Sequence, residues 1–324
     1  MDSSNKLLVG VDEAGYGPNL GPLVVVAVTL EVPSDVPSGD LWQRLVPAVS
    51  RFPAAMPESL VVDDSKKVYG SDRGLDCLER TALAWMGLGG TSPKNLRELW
   101  ATHCLTALED IDESPWFAER DVEIPHAISP NMRDADRERL AAALGAGGFG
   151  RTGMVCQIVM PRRFNALIER EESKNVALFQ VNAEILRHIW NHSSTNQIEV
   201  ALDKHGGRNF YWQLLQQEFH ETVVVRGREG PKLSRYEVNG AGRRLQATFA
   251  PRADSEHLLV AAASMIAKYV RELCMHMFNN FWTRHVPGLK PTAGYPVDAE
   301  RFWKQIRPAV RRLGIPREIV WRQR

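Results

Sequence analysis

The chain has 324 residues, 44% of them apolar and 24% charged, with a formal net charge of +1. That is the composition of a soluble globular protein with material for one elaborated domain or two ordinary ones. No stretch approaches the roughly 18 consecutive apolar residues of a membrane span. Four widely scattered cysteines (Cys77, Cys104, Cys156, Cys274) form no C-x-x-C, which excludes a disulfide framework and a thiolate zinc site and fits a reducing compartment. The opening, MDSSNKLLVGVDE, lacks a basic n-region, so the expected location is cytoplasmic.

Leu7–Val11 is a short apolar run ending at Asp12-Glu13. A Gly- and Pro-rich loop, Ala14–Pro22, leads to a second run, Leu23–Leu30, and the two read as adjacent strands. Residues 31–62 are punctuated by proline and read as irregular. Asp64-Ser65-Lys66-Lys67 precedes a predicted helix over Asp72–Met86. Gly87–Gly150 mixes short amphipathic pieces with Gly and Pro and reads as an insertion or small subdomain.

A strand is expected at Met154–Met160, with a helix near Arg162–Glu171. Val176, Phe179, Ala183, Leu186 and Trp190 share one face of a second helix, Val176–Trp190. Ile198–Leu202 reads as a strand delivering Asp203 at its end. Val223–Arg226 and Leu245–Phe249 are further strands, separated by a basic, Gly-rich segment. Asp254 sits just before a long helix, Leu258–Met277, whose Ala261-Ala262-Ala263-Ser264 lets it approach a sheet closely. The alternation of strands and helices indicates α/β with a mixed sheet. On this reading 1–86 and 151–283 form one discontinuous domain around 87–150, followed by a basic region, 284–324.

Bulk charge says nothing of a polyanionic partner, but its distribution does. From Arg284 to Arg324 ten Lys/Arg stand against Asp298, Glu300 and Glu318, and Arg226–Arg252 carries seven basic residues against Glu229 and Glu237. Such clusters suit phosphate contact or a solvated basic face.

Acids recur at strand ends: Asp12 and Glu13 after the first strand, Asp203 after another, Asp254 at a helix mouth. Carboxylates so placed point into a shared crevice, where open α/β folds bind ligands. Clustered like charges are costly unless hard divalent cations neutralise them, and a pair of ions about 3.5–4 Å apart suits in-line phosphoryl displacement. Taken singly, each acid also reads as a surface or capping carboxylate.

Ordered motifs favour the shared site. Gly10–Val28, GVDEAGYGPNLGPLVVVAV, resembles the opening of the ribonuclease HII family, in which a strand ends in DEAGRG. Asp64–Lys67 resembles its DSKK, Leu202-Asp203 stands at its third acid, and Asp254 leads into a segment similar to AAASIxAK with Arg271-Glu272 behind it. Gly294-Tyr295 matches the GY of its KGYGT. The resemblance covers the first ~85 residues and roughly 154–324.

It implies a ribonuclease H-like α/β fold with a central mixed sheet flanked by helices, plus an inserted subdomain. It also implies Mg²⁺- or Mn²⁺-dependent hydrolysis of the RNA strand of RNA–DNA hybrids or ribonucleotide-containing duplexes. Asp12, Glu13, Asp203 and Asp254 become the metal ligands and catalytic acids. Gly15, Tyr16 and Gly17 become the loop at the scissile ribonucleotide, Lys66 and Lys67 phosphate contacts, and Tyr295 a sugar-stacking residue.

The chain departs from the pattern at Tyr16 (family Arg), Lys204 (family Gly) and Pro296 (family Gly), which puts substrate discrimination in question. Asp63, Asp64 and Glu199 are the other candidates for the third acid. A weakly catalytic nucleic-acid-binding protein with this fold, and a nuclease for a DNA junction or flap, remain open readings.

Gly15–Gly21 misses the dinucleotide fingerprint by one residue and precedes a strand-like run, and no G-x-x-x-x-G-K-[ST] occurs. No nucleotide cofactor is therefore expected. His188 and His192 are i, i+4 on a helix, with no third ligand in view.

Overall fold

The computed structural model describes residues 5–54, 56–70 and 74–323. Asp72, where a helix start is predicted, and Arg324 lie outside the described residues.

The two opening strands pair as expected, and both run longer than their apolar cores. β1 (Asn5–Ala14) lies antiparallel to β2 (Leu23–Pro33), with Asp12 opposite Val26 and Glu13 opposite Val25. Val24 to Val28 are all fully buried, because both faces of this part of the sheet are covered. The proline-rich stretch that follows is mostly irregular, but it holds a two-residue parallel pair, β3 (Val49–Ser50) with β4 (Leu60–Val61).

Beyond it come α1 (Asp76–Leu88), then short helices and α2 (Pro130–Ala146). Leu96, Leu99, Trp100, Trp116, Phe117 and Leu140 of this middle region share one core with α1 and the long helix near the C-terminus. Glu79 of α1 ties it down. Fully buried, its carboxylate accepts the backbone N–H groups of His126 (2.6 Å), Ala127 (2.5 Å) and Ile128 (2.8 Å), and the Tyr269 hydroxyl (2.7 Å). Glu79→Gln puts an amide donor against those donors, and should cost about 2–4 kcal/mol of unfolding free energy in denaturant titration. A change under about 0.5 kcal/mol would show that the middle region holds its place without this carboxylate.

β5 (Thr152–Val159) pairs antiparallel with β2, and α3 (Pro161–Glu171) and α4 (Lys174–His192) follow. β6 (Gln197–Asp203) returns parallel to β1. β7 (Val223–Arg226) and β8 (Ser234–Gly240) form a hairpin, and β9 (Arg243–Ala250) lies antiparallel to β8 and parallel to β6. The segment read as a connection thus holds β8, next to the edge strand, in which Arg235, Glu237 and Asn239 alternate with buried Ser234, Tyr236 and Val238. Sheet order is β5-β2-β1-β6-β9-β8-β7.

α5 (Leu258–His285) exceeds its predicted end by more than two turns, continuing through buried Phe278, Phe281 and Trp282. It packs on the face carrying Leu8, Val24 and Val26, while α4 covers the face carrying Val9, Val11 and Val25. A Cβ at Gly10 would lie 2.2 Å from the Leu259 carbonyl carbon and the Val260 nitrogen. Glycine therefore lets α5 rest against β1. α6 (Pro296–Arg312) joins the same core, its Phe302 ring stacked 5.6 Å from Phe278 of α5. Among the described residues no helix is long and apolar enough to cross a membrane.

Candidate active site

β1 and β6 are parallel, so Asp12, Glu13 and Asp203 arrive at the same end of the sheet. Asp254 comes to that end on the short helix Ala253–Glu256, just before α5. The acids interact strongly. Burial, then Glu13, pushes the Asp12 carboxyl well above its usual range, against the Ser264 hydroxyl and the Glu13 N–H (2.8 Å) that favour its anion. Glu13 is pushed up to about 7, by burial and then by Asp203 and Asp254. Asp203 is raised by burial, although it accepts the N–H groups of Lys204, Arg252 and Ala253. Asp254 is raised by burial, then by Asp64 and Asp203.

The site thus holds an excess of mutually repelling oxygen donors. Lys66 is the cation that Glu13, Asp203 and Asp254 all sense. Donors of this kind suit a hard divalent cation. As they stand, however, no three His, Cys, Asp or Glu among the described residues are gathered closely enough to hold a metal ion together.

The other acids separate cleanly. Asp64 stands beside Asp254 and also caps the turn Ser65–Val68, accepting the Lys66 N–H at 2.9 Å. Asp63 is buried and occupied locally by Lys67 (3.2 Å) and the Asp64 N–H (2.8 Å). Glu199 pairs with Lys6 at 2.9 Å, some way back along β6. Lys67 points its ammonium at Asp63, whereas Lys66 is exposed at the cleft.

Next to the acids lies a cleft of about 410 Å³, lined by Glu13, Gly15, Tyr16, Gly17, Lys66 and Tyr295, and also by Ser65, Tyr69, Lys268 and Arg271. Tyr16 donates to Asn175 at 2.6 Å, and Lys174 sits 4.7 Å from its ring centre. Burial, then Glu13, raises its phenol. Tyr295 is half exposed at the start of α6, with Pro296 in the first helical position, where its missing N–H costs nothing. Gly15 is held at φ +88°, and a Cβ there would meet Arg271 Nε and the Pro22 carbonyl at 2.5 Å. Lys204 turns away from the acids. Its ammonium donates to Asn209 Oδ1, the Gly230 carbonyl and Ser234 Oγ, each at 2.9 Å, and so braces a neighbouring loop.

Several side chains here were not singled out by the sequence: Ser264, Tyr69, Lys268, Asn175 and Arg322. Ser264 and Lys268 fall inside a recognisable segment, four residues apart on α5, which was a usable signal. Arg322 gave none. It is fully buried, donates to the carbonyls of Gly15 and Tyr16 (the latter at 3.3 Å), and lies 4.4 Å from the ring centre of Phe164. Burial, then Arg271, pushes it down to about 9. Other basic residues are engaged: Arg284 with Glu119 (2.9 Å), Arg301 with Asp298 (2.7 Å) and Arg244 with Glu237 (2.5 Å). Lys304, Arg307, Arg311 and Arg312 are exposed. His188 and His192 stack on each other at 4.2 Å, on α4.

No protein-family model and no curated protein matches the chain. Among solved structures it is similar to a chain of the PCNA:RNase HII complex from Archaeoglobus fulgidus (16% identity, 98% of this chain and 94% of that one, TM-score 0.42). It is also similar to ribonuclease H2 from Pyrococcus horikoshii OT3 (16%, 97% and 92%, 0.40). Bst-RNase HIII, solved in complex with Mn²⁺, is another (14%, 99% and 67%, 0.42). The strand arrangement decides the architecture: β5, β2 and β1 antiparallel in a row, with β6 and β9 added parallel to β1. The fold is α/β, with a central mixed sheet flanked by helices. In this mixed sheet the hairpin β7–β8 extends the far edge, and α5 and α4 cover opposite faces.

Proposed function

We propose that the chain is a divalent-cation-dependent nuclease cutting the RNA strand of RNA–DNA hybrids or ribonucleotide-containing duplexes. The observation that carries this reading is the placement of Asp12, Glu13, Asp203 and Asp254 at one end of the sheet, near enough to raise one another's carboxyls, beside a cleft lined by Glu13, Lys66, Tyr16 and Tyr295. Those four acids would hold Mg²⁺ or Mn²⁺, with Asp64 near enough to Asp254 to bias it. When bound, the cation supplies countercharge to the acids and Lewis acidity at a phosphodiester.

The remaining work falls to side chains of this protein. Ser264 and the Glu13 N–H orient the Asp12 carboxylate, and three backbone N–H groups orient that of Asp203. Lys66 takes a non-bridging phosphate oxygen at the cleft rim. Tyr16 and Tyr295 offer flat faces for sugars or bases, and the 2′-hydroxyl beside Gly15–Gly17 distinguishes ribose from deoxyribose.

The decisive measurement is cleavage of matched hybrid, single-ribonucleotide and all-DNA duplexes, each with Mg²⁺, Mn²⁺ or chelator. Ribose-dependent, chelator-sensitive cleavage is expected. Equal cutting of the all-DNA duplex, or no cutting at all, overturns the reading.

The exposed cations on α6 have a separate role to test. Arg311 and Arg312 close a helix of 17 residues that starts at the cleft with Tyr295, so they lie about 25 Å from it. Replacing both by Ala should weaken binding of any long duplex and flatten the log–log salt dependence by up to about two units. An unchanged slope would mean that these arginines only face solvent.

A further inference from the structure

We infer that Arg322, two residues from the end of the sequence, is a positioning residue for the substrate loop, turning the Tyr16 and Gly17 N–H groups toward the cleft. The inference rests on the nucleic-acid reading above and adds the part played by the C-terminal segment. It starts from a buried cation in an unusual setting. Arg322 is fully buried, its Nε has no hydrogen-bond partner, and no Asp or Glu among the described residues forms an ion pair with it. The charged group that acts on it most strongly is another buried guanidinium, Arg271, whose Nε also lacks a partner. A buried charge without a counter-ion is costly and persists only where surrounding groups over-determine it.

Such groups surround Arg322. The Arg322 backbone donates to the Asn19 carbonyl at 2.8 Å, and Asn19 Nδ2 returns a bond to the Arg322 carbonyl at 3.0 Å. Asn165 clamps the residues on either side, donating to the Trp321 carbonyl (2.9 Å) and accepting the Gln323 N–H (2.7 Å). So held, the guanidinium lies over Phe164 and donates to the carbonyls of Gly15 and Tyr16. Peptide planarity does the rest. In a trans peptide the C=O and the following N–H point in opposite directions. Drawing the Gly15 and Tyr16 carbonyls toward Arg322 therefore turns the N–H groups of Tyr16 and Gly17 away from it, in a segment that lines the cleft. Two successive N–H groups backed by a buried positive charge favour an anion, here a phosphodiester of the nucleic-acid strand.

The test compares Arg322→Met, which keeps length and removes charge, with Arg322→Lys, which keeps charge but cannot span both carbonyls. Steady-state cleavage of a hybrid, chelator-arrested binding of the same hybrid, and amide exchange at Tyr16 and Gly17 are measured for both variants and the unaltered protein. The expectation for Arg322→Met is a KM about tenfold higher with kcat within about threefold, weaker binding in chelator by the same factor, and faster exchange at the two amides. Arg322→Lys should recover part of each change. If Arg322→Met proves too unstable to assay, the Lys variant carries the test through its own KM and exchange rates. Unchanged KM and unchanged exchange in a folded variant overturn the inference. Because exchange is read without substrate, failure of the unaltered protein to bind or cleave hybrid overturns the nuclease reading alone.

Discussion

Asp12→Asn and Asp254→Asn should each reduce divalent-cation-dependent cleavage at least about 1,000-fold, equivalent to roughly 4 kcal/mol of barrier, without lowering the stability of the fold. The two halves of this expectation have one cause. Both carboxyls titrate above their ordinary range in the folded chain, because burial and neighbouring carboxylates disfavour the anion. A carboxyl whose folded value lies above its unfolded value opposes folding at every pH above the unfolded value, neutral pH included. A neutral amide of the same shape removes that opposition, so Asp12→Asn should unfold at the same or a higher temperature.

The cation provides a second readout. Mg²⁺ or Mn²⁺ should raise the Tm of the unaltered protein by mass action, and should do so much less in either variant. Thermal scans with and without cation, alongside cleavage rates, check both parts. Near-normal cleavage in either variant at saturating cation would remove that acid from the site, and a large fall in Tm would make its role structural.

Gly10→Ala should be the most damaging single-methyl change near the site. Its Cβ would sit 2.2 Å from backbone atoms of Leu259 and Val260, and backbone cannot step aside as a flexible side chain can. Either β1 or the start of α5 must move. Overpacking of this kind costs about 1–3 kcal/mol, and a backbone collision belongs at the upper end or beyond. A Tm lower by roughly 5 °C or more is expected. Activity should fall further than stability explains, because Gly10 is two residues from Asp12 while Leu259 follows Asp254 closely and precedes Ser264, the hydroxyl that orients Asp12. Normal Tm with normal cleavage would mean that the helix can shift without cost and that the close approach is incidental to the acids.

The contact also shows why parts of this protein are legible in the sequence. The apolar runs at Leu7–Val11 and Leu23–Leu30 mark β1 and β2 because burial on both faces demands unbroken apolar residues. That Asp12, Glu13 and Asp203 fall near the C-terminal ends of strands is likewise readable, although β1 runs on past its apolar residues to Ala14. Ala261-Ala262-Ala263 announces a close helix–sheet approach before its partner is known. All of these are local patterns, decided by residues within a few positions of one another.

What only the tertiary structure decided involves residues far apart in the chain. β8 was read as a connection because its inward residues Tyr236 and Val238 are too few to outweigh the polar Arg235, Glu237 and Asn239 that alternate with them. Glu79 carries no local signal of its role, yet it is fully buried and accepts three backbone N–H groups nearly fifty residues away. Lys204 seemed to place a cation beside the third acid, and its ammonium in fact points into a cage of carbonyl and hydroxyl oxygens. Arg322 is the extreme case, meeting Gly15 and Tyr16 across more than three hundred residues. Composition and periodicity report which side chains seek burial, and for apolar residues that is nearly the whole answer. For a charged side chain the outcome depends on which donors and acceptors the folded chain brings to it, and those partners are specified only when distant elements pack.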